Sequence, residues 1–350
     1  MAGPVPARVD AKVKAGLLAA VEHAVEHGGW SVRRACQLLE VNDDRVARWW
    51  QLQAAGRPLE DGRPGPEQAL HAILDWERDA ILEVYDGWAD IDRSYRKLAH
   101  RASRLDVVYA SESTFWRVLR EEGLVLAERA PREPVAKKPW PEWVEYRPNQ
   151  VWGHDFTHFP RAGCVAIAVL DLVSRKWLRT LVSVEETSEQ VIAVYTLALE
   201  DEGLLEIAEA RMVQPNSDEQ LPILLAVSDN GPQMISGTTR EWMALHSLAW
   251  HTGRPGVPQD QARIETLFGH VKGEWPELEE IRDPAGLEAA LEQRRLEYNS
   301  VRLHAGIGYV TPDDEHEGRG AMIRKQRREG MRAAREARIA YRREHGKDNR

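Results

Sequence analysis

Three acidic residues, Asp155, Asp229 and Glu265, fall on elements from which their carboxylates could converge on a shared cation. Asp155 lies in the alternating run Trp152-Gly-His-Asp-Phe-Thr-His-Phe159, which predicts a strand, and Asp229 directly follows the apolar run Ile223 to Ser228, which predicts another. Glu265 falls on a predicted helix from about Asp260 to Trp275. Side chains alternate along a strand, so Asp155 shares a face with Gly153 and Thr157 while Trp152, His154 and Phe156 point across. An acid in mid-strand is costly unless paired, and a cation is the natural partner when carboxylates converge from a neighbouring strand end and a helix. Mg²⁺ prefers oxygen ligands, and two such ions about 3.5–4 Å apart stabilise both the attacking and the leaving oxygen of an in-line phosphoryl displacement. The chemistry indicated is phosphodiester cleavage or transfer. Singly, each residue has an ordinary reading: Asp229 as a turn residue in Ser-Asp-Asn-Gly, Glu265 as a solvated helix charge, Asp155 as a cap or a partner of Arg175. Only the combination points to catalysis.

The elements that must position these acids read clearly along the 350 residues. Cys164 to Val173 is an apolar run and Trp177 to Val184 alternates, so with the first strand they predict an antiparallel meander. A helix from about Ser188 to Glu202 follows, then the strand ending at Ser228, then helices from about Thr238 to Leu248, Asp260 to Trp275 and Pro284 to Asn299. Three strands, helix, strand, helix, strand, helix is the order of an RNase H-like fold, a mixed five-stranded sheet flanked by helices. Two sets of three short helices precede it. The first runs from Ala11 to His27, from Ser31 to Leu39, and from Asp43 or Asp44 to Gln53. The second spans about Glu67 to Tyr85, Tyr95 to about Ser103, and Thr114 to Gly123, the last capped by Ser111 or Ser113. A tight break before the last helix of each set predicts helix-turn-helix modules.

The chain is therefore expected to be multidomain, all-α helix-turn-helix modules followed by an α/β RNase H-like core. The expected parts are a first DNA-binding domain at 1–56, a linker at 57–66, a second DNA-binding domain at 67–129, a Pro-rich linker at 130–147, the catalytic core at 148–315 and a basic, loosely packed helical tail at 316–350. A net charge of −9 looks wrong for a nucleic-acid binder, but it hides an uneven distribution. Gly318 to Arg350 carries 12 Lys and Arg against 4 Asp and Glu, which leaves −17 on the rest. Local patches must do any DNA binding. The two cysteines, Cys36 and Cys164, lie in different predicted domains and read as small buried hydrophobes. No apolar run is long enough to span a bilayer and the N-terminus lacks a signal-peptide core, so a cytoplasmic protein without a membrane partner is expected.

The runs Trp152-Gly-His-Asp-Phe-Thr157, Asp171-Leu-Val-Ser-Arg175, Ser228-Asp-Asn-Gly231, Pro258-Gln-Asp-Gln-Ala-Arg-Ile-Glu265 and Tyr298-Asn-Ser-Val-Arg-Leu-His304 resemble the integrase-core transposases of bacterial insertion sequences, relatives of retroviral integrases. The resemblance covers roughly Pro148 to Pro312 and, more weakly, the helix-turn-helix units. It implies that Asp155, Asp229 and Glu265 form a DDE triad binding two Mg²⁺ ions, with Mn²⁺ able to substitute, and that Asp171 is a structural acid near the Ser174-Arg175 turn. It further implies metal-dependent 3′-end cleavage and strand transfer on double-stranded DNA, at the element's terminal repeats and a target, by a homodimer or larger assembly. This sequence departs from the family at Gln261, at His154 and in a somewhat long spacing between the two aspartates, for which Val213 to Gln220 reads as an insertion. A repressor with an inactive core and a general RNase H-type nuclease are the competing functions.

In a helix-turn-helix the second helix enters the major groove, where Arg reads guanine edges and phosphate contacts set the register. The expected DNA contacts are Arg33, Arg34, Arg45 and Arg48 in the first module and Ser111, Ser113, Thr114 and Arg117 in the second. Lys272, two turns beyond Glu265 on the same predicted helix face, is placed to touch a phosphate near the scissile bond. Arg302, with Asn299 and His304, is expected either to contact DNA or to brace the helix that carries Glu265.

Overall fold

The computed structural model describes residues 5–61, 69–124, 141–213, 221–228, 236–252 and 266–345. The chain divides into two compact units, Met1–Leu70 and His71–Arg350.

The first unit holds α1 (Ala11–Glu26), α2 (Val32–Leu38) and α3 (Asp43–Ala54). Each helix opens on a side chain that accepts an otherwise unbonded backbone N–H: Asp10 from Val13, Ser31 from Arg34, and Asn42 from both Asp44 and Arg45. Asn42, rather than Asp43 or Asp44, is thus the cap of the third helix. Leu18, Val21, Ala35, Cys36, Val46 and Trp49 form the core between them. Part of the segment read as a linker is held here too, because the buried Lys14 ammonium donates to the Leu59 carbonyl at 2.7 Å and to the Asp61 carboxylate at 2.6 Å.

The second unit opens with α4 (Asp75–Trp88), α5 (Tyr95–Arg104) and α6 (Glu112–Glu121), packed around Ile81, Val84, Leu98, Ala102, Phe115 and Val118. α4 begins at Asp75 because the Glu77 carboxylate folds back to accept the Leu74 N–H, and Ser111, not Ser113, caps α6. Next come β1 (Val151–Phe159), β2 (Cys164–Asp171) and β3 (Trp177–Ser183), then α7 (Ser188–Asp201) and α8 (Leu205–Val213), the last a helix that the sequence reading passes over. β4 (Leu224–Ser228), α9 (Gly237–Leu245) and β5 (Leu248–Thr252) follow, so the helix expected to reach Leu248 stops three residues early and the fifth strand starts there. The sheet order is β3-β2-β1-β4-β5, antiparallel through the meander and parallel across β1, β4 and β5. This is the mixed five-stranded sheet expected.

Helices cover both faces. α10 (Thr266–Glu274) and α11 (Pro284–Ser300) bury Leu267, Phe268, Val271, Leu287 and Leu291 against Val151, Ala166, Ala168, Leu225 and Val227. On the other face α7 and α9 bury Val191, Tyr195, Leu199 and Met243 against Trp152, Ile167, Val169, Leu224 and Ala226. Neighbouring residues of one strand therefore belong to different cores, as a pleated strand buried on both faces requires.

α12 (Pro312–His316) leads into α13 (Gly320–His345), and here the sequence reading of a loosely packed tail is corrected. α13 lies along the second three-helix module: Arg327 donates to the Ala99 carbonyl at 2.7 Å and Ser103 Oγ at 2.6 Å, Arg338 to the Glu77 carboxylate at 2.8 Å, and Arg342 to the Ile73 carbonyl at 2.8 Å. A Cβ at Gly330 would overlap the Tyr109 ring, so only glycine permits that approach. Four of the nine Lys and Arg of this helix are turned inward onto carbonyls and carboxylates. The module also packs on the core, through Arg101, which donates to Asp92 and to the Val301 carbonyl at 2.7 Å each, and through His100 stacked on Tyr309. Among the described residues no helix is long and apolar enough to cross a membrane.

Candidate functional site

The strand pleat decides which face Asp155 belongs to. Val151 and Phe159, at odd positions of β1, pack in the core beneath α10 and α11, whereas Trp152 and Phe156 pack against α7 and α9. His154 points the second way as well, its Nδ1 lying 2.8 Å from the Tyr195 hydroxyl of α7. Asp155 is thus on the α10 side, half-buried, opposite Ala168 of β2. Asp229 and Glu265, the other two acids of the expected triad, lie outside the described residues, as does Gln261. Their described neighbours are Ser228, the buried last residue of β4, which accepts a hydrogen bond from the Trp250 indole at 3.0 Å, and Thr266, where α10 begins. Burial brings the His154 imidazole down to about 3, so it is neutral at ordinary pH.

The expected structural acid is found in that role. Asp171 is fully buried, and its carboxylate accepts the backbone N–H groups of Val173 and Ser174 at 2.8 and 2.7 Å and that of Asn149 at 2.6 Å. It fixes the turn at the end of β2. Asn299 clamps α11 to β3 at two points, accepting from the Trp177 N–H and donating to its carbonyl, both at 2.8 Å.

Arg302 is a correction to the set of expected DNA contacts. Its guanidinium is buried and forms a two-point pair with Glu274 at the end of α10, at 2.8 and 2.7 Å. It braces the helix that starts beside Glu265 and has no surface to offer a phosphate. The sequence carried no signal for Glu274 as its partner, since the pair joins two helices' ends 28 positions apart. Lys97 of α5 stands in the same cluster. Burial, with the Arg302 charge nearby, lowers its ammonium to about 8. His304 is likewise kept neutral, down to about 2, by burial and then by the charges of Arg302 and Arg175. Lys272 ties α10 to the end of β1, donating to the His158 carbonyl at 2.8 Å and pairing with Glu279 at 3.1 Å.

In the helical modules the expected contacts separate into two kinds. Arg33, Arg34 and Arg48 are exposed, Arg34 lying over the Trp30 ring. Arg45 is not available to a groove: its guanidinium donates to the carbonyls of Val5, Pro6 and Ala7 and lies over the Trp49 ring, holding the N-terminal segment against α3. Arg48 lines a cavity of about 490 Å³ with Lys14, Arg57 and Asp61. In the second module Ser113 and Arg117 are exposed, but Thr114 is buried and bonded to Ser111 and Arg117, so it supports the helix start and does not face outward.

Residues 145–258 and 246–312 each match a family model described as an integrase core domain. The chain is 22% identical over 221 residues to the uncharacterized 31.7 kDa protein of insertion element IS407 from Burkholderia multivorans, which covers 63% of this chain and 74% of that protein. It is 23% identical over 296 residues to the uncharacterized 39.2 kDa protein of insertion element IS476 from Xanthomonas euvesicatoria, covering 84% of this chain and 74% of that one. Among solved structures it is similar to a chain of the simian T-cell lymphotropic virus intasome in complex with the PP2A regulatory subunit B56 gamma, with TM-score 0.37 and 17% identity over 64% of this chain and 75% of that one. It is also similar to the catalytic core domain of BIV integrase, with TM-score 0.35 and 20% identity over 50% of this chain and 97% of that one.

Proposed function

We propose that this chain, which matches integrase core models over residues 145–312 and resembles insertion-element proteins, is a DNA transposase whose Asp155, Asp229 and Glu265 together cleave 3′ ends and join them to a target strand. The observation that carries the reading is the placement of Asp155: it lies on the one sheet face covered by α10, the helix that begins at the residue after Glu265. The parallel ladder of β1 and β4 supports it further, because Val151 pairs with Leu225 and Gly153 with Val227, the same offset that separates Asp155 from Asp229 in the sequence.

The donors proposed are all carboxylate oxygens, and the neighbouring imidazole of His154 is neutral and bonded on the opposite face. Such a set fits a hard divalent ion, Mg²⁺ or Mn²⁺. When bound, a pair of these ions supplies Lewis-acid stabilisation of the attacking and leaving oxygens. The chain's own part is to hold the acids in register, which Asp171, Asn299 and the Arg302–Glu274 pair do by fixing the β2 turn, α11 and α10. No covalent protein intermediate is required, since water and a DNA 3′-hydroxyl serve as nucleophiles. The three-helix modules, with Arg33, Arg34, Arg48, Ser113 and Arg117 exposed, are proposed to be helix-turn-helix units that hold the terminal repeats. Joining two ends in one reaction calls for at least two copies on the DNA.

The test uses the full chain, Mg²⁺ and a duplex ending in the element's own terminal repeat. Asp155→Asn is expected to bind that duplex within about twofold of wild type while 3′ nicking and joining fall at least about a thousandfold. Joining at the wild-type rate by the variant overturns the reading, and equal cleavage of scrambled duplex by the wild type favours a general nuclease.

A further inference from the structure

We infer that one flank of α13 is a binding surface for the phosphate backbone of duplex DNA, an extension of the transposase reading on which it rests. The basic residues of this helix divide into two groups. Arg324, Arg327, Arg338 and Arg342 turn toward the protein and bond carbonyls and carboxylates there. Lys325, Arg328, Arg332, Arg335 and Arg343 are exposed. At 3.6 residues per turn these five fall within an arc of about 80°. The other two positions in that arc, Ala321 and Ile339, are uncharged, while Glu329 and Glu336 lie beyond its edge. Of the five, Lys325 alone pairs with an acid among the described residues, and that pair, with Glu329, is stretched to 3.9 Å.

A cationic ridge on a chain whose first 317 residues sum to −17 marks where a polyanion is attracted. The ridge runs about 27 Å from Lys325 to Arg343, the length of about eight base pairs, and a duplex carries a charge for about every 1.7 Å of its axis. A membrane surface is a poorer match, because an interfacial helix needs bulky apolar residues beside its cations and this arc offers only Ile339, which is half-buried. The location also matters. On its inner side α13 holds the carbonyls of Tyr109 and Ala110, the two residues before the Ser111 cap of α6. The ridge and the exposed Ser113 and Arg117 therefore ride on one packed body, and a duplex held by α6 has flanking phosphates for α13 to meet.

The experiment measures binding of the full chain to terminal-repeat duplex and to scrambled duplex across a range of salt. Each phosphate contact adds about 0.9 to the slope of log affinity against log salt. The variant K325Q/R328Q/R332Q/R335Q is expected to lose three to four from that slope and at least about tenfold in affinity at 0.15 M salt, on both duplexes, because phosphate contacts carry no sequence information. The charge-preserving R328K/R332K/R335K is expected to stay near wild type. Should the fourfold variant fail to fold, R332Q and R335Q singly are each expected to lose about one from the slope. An unchanged slope overturns the inference, and a changed oligomeric state with an unchanged slope assigns the ridge to a protein partner instead. Equal wild-type affinity for the two duplexes counts against the transposase reading while a reduced slope still upholds the ridge; no binding to either duplex overturns both.

Discussion

Arginine identifies sites of anion recognition in a sequence, but its five donors serve backbone carbonyls equally well, and in this chain the partners within reach decide between the two uses. Arg45 and Arg302 both look like DNA contacts by composition, yet one closes three carbonyls of the N-terminal segment and the other grips Glu274. Replacing Arg302 by Met leaves Glu274 without its partner at the end of α10, and loss of one member of such a pair costs about 3 kcal/mol, the low end for buried pairs because Glu274 is a quarter exposed. The expected outcome is a lower unfolding midpoint in urea and reduced strand cleavage, with the salt slope of DNA binding unchanged. A slope reduced by about one, at full stability, would mean that Arg302 touches phosphate after all.

At the scale of elements, the sheet and its flanking helices were legible because alternation, apolar runs and caps are local signals. The strands of the meander, the strand ending at Ser228 and a serine cap of α6, at Ser111 or Ser113, all come from patterns a few residues long. What stayed hidden depends on partners far apart in sequence: the Glu274 pair, the docking of α13, and the start of β5 at the end of a helical pattern. Of the candidate site, the strand and face of Asp155 were readable from the strand period, whereas its role, like those of Asp229 and Glu265, rests on the combination and the resemblance, and the latter two lie outside the described residues. Glu202, which caps the end of α7, belongs to the hidden class. Burial would raise its carboxyl, but hydrogen bonds from His316, Lys176 and Asn149 prevail and lower it to about 2. A carboxyl lowered in the folded state contributes stability above its unfolded value, near 4.3, that is lost as pH falls from there toward about 2. The contribution is on the order of 3 kcal/mol. Unfolding free energy measured from pH 7 down to 2.5 is expected to decline below pH 5, and Glu202→Gln to be less stable at pH 7 with a shallower decline. Parallel curves for the two proteins would deny Glu202 this part.

For the whole molecule, the second unit is a single body closed by its last helix. Ending the chain at residue 317 removes Arg338 from the buried Glu77 carboxylate and uncovers the Tyr109 surface against which Gly330 packs. Hydrogen exchange is expected to quicken at least about tenfold in α4, α5 and α6 while β1 and β2 keep their protection, since the sheet core does not include α13. Uniform protection across both would show the module to be stable alone. The Glu77–Arg338 pair spans 261 positions of chain. A ribosome releases residue 77 long before residue 338 exists, so all five strands of the sheet are made before the residue that closes this pair. Completion of the α4–α6 module is thereby ordered behind synthesis of the sheet.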